Sequence, residues 1–406
     1  MVGANTGLTG VELLYDKVLS GLVSRREVIK DNAGHVIYEN KEGNEERPRD
    51  IYLTLDKNIQ FFAQEAVKKE AQKNRADLGM ALVQDPNTGR ILAMATYPED
   101  PVKLPPVEWV YEPGSTFKSI TLAAALEKDI VSERDTFFCE NGAWPFNSKV
   151  TIHDHTPEGT LTLSGVIERS SNIGVAKIGL KLGIENYYLY TKAFGFGTKP
   201  GLGFYGESSG ILRAQAKYRQ LDLAVGSYGH GLAATPLQVI SAYSALANGG
   251  RLLEARLVDK ITDFNGREIS REEPSSVRRA VSEKTAGRVK AILLNVVDKG
   301  TGKNAAVTGY HVAGKTGTSK KIDPKTGKYL TGRNVASFCG FFPADKPLYT
   351  ILVVMDNPKT SQYGGESAAP AFQEISKKII TMKGIKPDAP EQFKNTLKDS
   401  SRPISD

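Results

Sequence analysis

The chain has 406 residues, 40% hydrophobic and 24% charged, with a net charge of +7. This is the composition of a globular protein able to bury a large core, and the length suggests one large domain with something smaller beside it. Its 53 Lys and Arg are scattered rather than striped, which argues against nucleic acid and makes an anionic membrane or wall polymer the better neighbour.

In chain order, residues 1–49 hold little apolar surface and several turn signals. Asn32-Ala33-Gly34 separates the runs 26–30 and 36–38, so this stretch is expected to be a small β-rich fragment without a core of its own. Residues 51–55 alternate like a strand, and Asp56 begins an amphipathic helix whose apolar positions Ile59, Phe62, Ala63, Ala66 and Val67 follow helical spacing to about Lys73. Asp85-Pro86-Asn87-Thr88-Gly89 is a turn joining two hairpin strands, 79–84 and 91–96.

Helices are expected over 115–126, 163–182 with a break at Ser170-Ser171-Asn172, 235–248 and 284–297. Strands follow at 307–313, 335–342 and 349–355, then a helix over 371–381 and, from Lys383, a disordered tail. Strands, a helical middle and strands again describe an α+β domain whose sheet is completed by both ends of the chain. Cys139 and Cys339 have no second cysteine near either, so zinc knuckles and CxxC redox motifs are excluded, and two buried thiols are favoured over one disulfide. No run reaches the roughly 18 to 20 apolar residues that span a bilayer, and the N-terminus has no signal-peptide core.

Chemistry concentrates at Tyr111-Glu112-Pro113-Gly114-Ser115-Thr116-Phe117-Lys118. A Pro-Gly turn delivers Ser115 to the start of an apolar helix, and Lys118 follows at a spacing that puts both on one face. A serine hydroxyl needs a neighbour to take its proton, and a lysine can do so when burial or another cation lowers its pKa. The helix N-terminus disfavours positive charge and offers free N–H groups to an oxyanion. Alone, Ser-x-x-Lys is weak, because Ser115 reads equally well as a helix cap and Lys118 as an exposed residue. Its company raises it: Ser170-Ser171-Asn172 and Lys315-Thr316-Gly317-Thr318 lie downstream.

Together these motifs resemble those of the class B penicillin-binding proteins, more closely the division type, over about residues 7–382. Gly7-Leu8-Thr9-Gly10-Val11-Glu12, Gly206-Glu207-Ser208-Ser209-Gly210, Gly300-Thr301-Gly302, Tyr363-Gly364-Gly365 and the stretch 336–345 carry the rest of the likeness. One departure is the short connection 97–110 before Tyr111. The resemblance implies the transpeptidase fold, with a central, mainly antiparallel sheet covered by helices. It divides the chain into a remnant of a non-catalytic pedestal at 1–49, a catalytic domain at 50–382 and the tail 383–406. It also implies a longer protein with an N-terminal membrane anchor, acting on the extracytoplasmic face of the membrane.

The implied activity is that of a D,D-transpeptidase cross-linking peptidoglycan stem peptides, acylated and inhibited by β-lactams. No cofactor or metal is implied, and the partners would include a glycosyltransferase and other division proteins. By the resemblance Ser115 is the nucleophile, Lys118 its proton acceptor, Ser170 a proton shuttle, and Asn172 the group that fixes Lys118 and the substrate amide. Lys315 supplies positive potential, the backbone N–H groups of Ser115 and Thr318 form the oxyanion hole, and Thr316, Gly317 and Thr318 line the substrate's carboxylate site. A serine β-lactamase or D,D-carboxypeptidase on the same fold, or a catalytically silent division scaffold, are the competing readings.

Three other stretches need weighing. Lys325-Thr326-Gly327 repeats the triplet, but Asp323-Pro324 before it and Gly332 beyond mark a surface hairpin turn. His153-Asp154-His155 puts two imidazoles on one face of a strand, yet lacks a third ligand, so metal binding is disfavoured. Gly229-His230-Gly231 lacks the Lys-Ser/Thr ending of a phosphate loop and reads as a tight turn.

Overall fold

The computed structural model describes residues 6–21, 25–42, 47–100, 103–323 and 326–390. Two compact units divide the chain.

The larger unit is built on helix α1 (Lys57–Asn74) and strands β1 (Leu78–Gln84) and β2 (Ile91–Tyr97). Asp56 caps α1 by accepting the Asn58 and Ile59 N–H groups, as its place before the apolar period predicts. Helices α2 (Lys118–Glu127), α3 (Leu163–Glu168), α4 (Asn172–Ala193), α5 (Pro236–Ala247) and α6 (Glu283–Asp298) make up the middle. Strands β3 (Ala313–Ile322), β4 (Tyr329–Phe342) and β5 (Tyr349–Asp356) precede α7 (Ala369–Lys383).

The five strands form one antiparallel sheet in the order β3-β4-β5-β1-β2. Its central strands are buried on both faces, which is why they read as near-continuous apolar runs. Ala81, Val83, Phe338 and Val353 join α1 and α7 in one apolar core, and α5 packs on the sheet as well. β3 is the edge strand, the position from which backbone groups can face a cleft.

The expected strand at 307–313 is displaced. Val307 and Tyr310 form only an isolated bridge, and the regular strand starts at Ala313 and carries Lys315-Thr316-Gly317-Thr318 in its body. The apolar alternation at Val307 and Val312 reflects burial in an irregular segment, which periodicity cannot tell from a strand. The second triplet falls between β3 and β4, where Gly327 (φ +67°) closes a turn by donating to Asp323 O at 2.8 Å; Lys325 lies outside the described residues.

The expected tail begins too early. Past the Gly384 cap, the Tyr310 hydroxyl donates to Ile385 O at 2.6 Å, Asp388 accepts the His311 N–H at 2.8 Å, and Ala389 is buried. Residues 391–406 of that tail lie outside the described residues.

The smaller unit gathers Met1–Thr54 with Leu202–Gly206 and Arg256–Glu273. Within it Val258–Thr262 lies between Glu268–Arg271 and Asp50–Leu53 in an antiparallel sheet. Pairing across some two hundred residues leaves no local pattern, so a boundary at residue 49 misses these segments. The expected hairpin is present as Arg25–Lys30 with Val36–Glu42. The stretch before it is helical, Gly10–Leu14 and Asp16–Ser20, so the fragment is mixed rather than β-rich.

Candidate active site

Ser115 sits in a 3-10 turn, Gly114–Phe117, that runs directly into α2. Every residue of α2 from Lys118 to Leu126 is buried, while Ser115 itself is only half-buried. Gly114 has φ +53°, and a Cβ there would lie 2.8 Å from Thr318 O. Glycine is therefore needed both for the conformation and for the approach to β3. Buried Tyr243 pins the turn from beneath, donating to Thr116 O at 2.8 Å and sharing a 2.9 Å bond with Ser119 Oγ. On the outer side Glu112 accepts the Gly231 N–H at 2.7 Å and the Tyr329 hydroxyl at 3.1 Å.

The break between α3 and α4 brings the second motif to Lys118. Ser171 caps α4, accepting the Gly174 N–H at 2.9 Å. Capping thus falls to the middle residue and frees its neighbours. Ser170, at φ +59°, occupies the left-handed region that a serine enters only when its surroundings impose it. Lys118 Nζ then contacts Ser170 O at 2.5 Å, Ser170 Oγ at 3.2 Å and Asn172 Oδ1 at 2.8 Å.

From the third motif, Lys315 Nζ reaches the same Ser170 hydroxyl at 3.0 Å and its neighbour Thr316 Oγ1 at 3.2 Å. Thr316 Oγ1 is 2.8 Å from Thr301 Oγ1, and Thr318 Oγ1 accepts the Gly364 N–H at 3.3 Å. A Cβ at Gly317 would come to 2.9 Å from Thr116 Cγ2 and 3.0 Å from Pro113 O, so glycine lets the Ser115 turn lie against β3. Gly317→Ala is expected to lose about 1–3 kcal/mol of stability by overpacking, read as a lowered melting temperature; an unchanged melt would mean that the turn moves aside freely.

The Ser170 hydroxyl therefore stands between two buried lysines. Burial, then the neighbouring Lys315 charge, holds the Lys118 ammonium well below the usual lysine range, opposed by Asp154 and Cys139. Burial brings Lys315 to about 7. Among the described residues no hydrogen bond reaches Ser115 Oγ, and the contact expected between Ser115 and Lys118 is not made as a bond; Lys118 is engaged by the second motif instead.

Three partners escaped the sequence reading. Asp154 accepts the Ser171 hydroxyl at 2.6 Å and the Ile173 N–H at 3.0 Å; in the sequence it is only the residue between His153 and His155. Thr301 was visible only as the middle of Gly300-Thr301-Gly302, and Tyr243 only as one apolar position of α5. His153 contributes its carbonyl, to Asn172 Nδ2 at 2.8 Å, and the His155 ring packs on Tyr363 at 4.8 Å. The group with metal-ligand chemistry among the described residues is His311, Asp345 and Asp388, with candidate ligand atoms within 4.8 Å of one another. Burial, Lys118 and Lys320 push His230 down to about 4.

Residues 79–377 match the family described as the penicillin binding protein transpeptidase domain. The chain is 35% identical to Stage V sporulation protein D of Bacillus subtilis, over 94% of this chain and 62% of that protein. It is 30% identical to the peptidoglycan D,D-transpeptidase FtsI of Escherichia coli, over 94% and 65%. The chain thus spans under two thirds of the length of these two relatives. Among solved structures, penicillin-binding protein 3 of Mycobacterium tuberculosis in complex with aztreonam superposes with a TM-score of 0.82 at 30% identity, covering 94% of this chain and 87% of that one. With an antiparallel sheet whose edge strand meets a serine turn and a helix break at one pair of lysines, the chain belongs to the penicillin-binding protein transpeptidase family, among its class B members.

Proposed function

We propose that the chain is the catalytic part of a peptidoglycan D,D-transpeptidase that works through an acyl-enzyme on Ser115. The observation that carries this reading is the Ser170 hydroxyl, 3.2 Å from Lys118 Nζ and 3.0 Å from Lys315 Nζ. A neutral Lys118 amine has two N–H groups, which Ser170 O and Asn172 Oδ1 accept, and a lone pair left for a serine proton. Burial beside a second lysine favours that neutral form.

Ser115 Oγ attacks the carbonyl after the penultimate D-Ala, and its proton passes to Lys118. The C–N bond breaks, and the proton travels through Ser170 to the departing D-Ala amine. An acceptor amine then attacks the ester, gives up its proton by the same path, and restores the serine. The Ser115 and Thr318 N–H groups, at half-buried positions flanked by buried residues, hold the oxyanion. Lys315 and the Thr316 and Thr318 hydroxyls, with Gly317 keeping the strand close, receive the substrate carboxylate. The reaction places the protein on the extracytoplasmic face of the membrane, with division proteins and a glycosyltransferase as partners; among the described residues no helix is long and apolar enough to cross a membrane. The Mycobacterium relative is solved in complex with aztreonam and with ampicillin, and in this reading a β-lactam acylates Ser115.

The lifetime of that adduct separates a transferase from a hydrolase. Among the described residues no carboxylate is hydrogen-bonded to Ser115, Lys118 or Ser170, and Lys118 is committed to Ser170 and Asn172. The penicilloyl-enzyme is expected to persist for many minutes, seen by mass spectrometry as one added penicillin on the intact chain. Free enzyme returning within seconds while the antibiotic is consumed would make the chain a β-lactamase.

A further inference from the structure

We propose that Asp154 is a positioning residue for acyl transfer: one carboxylate fixes the backbone loop that presents Ser170 and Asn172, and its charge tunes Lys118. This inference rests on the acyl-transfer reading above.

The carboxylate is fully used. Oδ2 accepts the Ser171 hydroxyl at 2.6 Å, and Oδ1 accepts the Ile173 N–H, one of the first free donors of α4, at 3.0 Å. Ser171 Oγ in turn accepts the Gly174 N–H at 2.9 Å and lies 3.3 Å from buried Cys139 Sγ. Asp154 is itself held, its N–H donating to Gly142 O at 3.0 Å, while the adjacent His153 carbonyl accepts from Asn172 Nδ2 at 2.8 Å. A single dipeptide, His153-Asp154, therefore grips all three residues from Ser171 to Ile173. Ser170 is left in a strained left-handed conformation that an unanchored loop would relax.

The same carboxylate is the anion that opposes the forces neutralising Lys118. Burial and Lys315, on β3, press Lys118 toward the free amine, whereas Asp154 and Cys139 press it toward the ammonium. Beyond these, His230 is held unprotonated down to about pH 4 by burial, Lys118 and Lys320. Burial, Glu112 and Asp154 raise Tyr228 to about 12. Glu158 and Lys177 act on the Cys139 thiol, which burial already raises. Burial brings Lys315 itself to about 7, inside the same window, so the effect on Lys118 is read as the difference between wild type and the Asp154 variant, both of which keep Lys315.

Asp154→Asn separates charge from geometry. Its Oδ1 can keep the Ile173 bond while its amide donates to Ser171 Oγ, which then turns its proton toward Cys139 Sγ. The loop stays and the charge goes. The acid limb of the penicillin acylation rate is expected to move to lower pH by roughly one unit, with an unchanged melting profile. Nitrogen-15 NMR of lysines labelled at Nζ, with Lys118 assigned by Lys118→Met, should show the same displacement whether or not the chain is acylated. Asp154→Ala removes both roles and should slow acylation about tenfold or more at every pH.

An Asp154→Asn titration of Lys118 superimposable on wild type overturns the charge role, and undiminished acylation in Asp154→Ala overturns the anchoring role. A wild-type chain that takes no penicillin would instead sink the acyl-transfer reading, and the NMR titration would still decide for or against Asp154.

Discussion

Ser115→Ala is expected to take up no penicillin, and Lys118→Met to take it up about a thousandfold or more slowly than wild type at pH 7. General-base removal typically costs about 10²- to 10⁴-fold, and the upper part of that range applies because Lys118 is the lysine held by both Ser170 O and Asn172 Oδ1. The melting temperature of Lys118→Met should stay within a few degrees of wild type. Lys118 is fully buried, and a methionine of similar length fills its slot. The variant leaves Ser170 O and Asn172 Oδ1 without a donor, at about 1–3 kcal/mol each, and is relieved of a buried amine that the fold holds far from its preferred charge state. The two effects oppose each other. A gel with a fluorescent penicillin and a melting curve check both halves; near-normal acylation of a folded Lys118→Met would remove the lysine from the mechanism.

What the sequence revealed and what it hid divide along a physical line. The helix that follows Ser115, the break at Ser170-Ser171-Asn172 and α1 with its Asp56 cap were legible because each is set by residues within a turn or two of one another. The antiparallel sheet was legible as a class of fold. Its edge strand was misplaced, because Lys315-Thr316-Gly317-Thr318 has none of the β-branched apolar character that marks a strand, and is held as one by pairing with residues 336–339 of β4.

Convergence across the chain was hidden altogether. Asp154 meets Ser171, Thr301 meets Thr316 and Tyr243 meets Thr116 through single hydrogen bonds between distant segments. A lone Asp, Thr or Tyr in a sequence has no spacing to give it away. The same limit explains the smaller unit, where Asp50–Leu53 finds its partner at Val258–Thr262.

Lys315→Ala is expected to slow acylation by about two to three orders of magnitude, whereas Lys325→Ala leaves it nearly unchanged. The first lysine is buried and bonded to Ser170 Oγ; the second belongs to the triplet whose Gly327 closes the turn between β3 and β4. Equal losses in the two variants would mean that the wrong triplet has been assigned to the site. Stability gives an independent reading of the same residue through Lys315→Met. Burial lowers the folded-state pKa of Lys315 to about 7, below an unfolded value of about 10.4. The unfolded chain therefore binds more protons throughout that window, and the folded state gains stability as pH rises from about 7 toward 10. Lys315→Met carries no such group. The stability of wild type relative to Lys315→Met should consequently be lowest near neutral pH and improve steadily toward pH 10, as followed by urea unfolding at a series of pH values. A difference between the two that stays flat with pH would show that Lys315 keeps an ordinary pKa in the folded protein, and the reading of it as a desolvated lysine beside Ser170 would have to be given up.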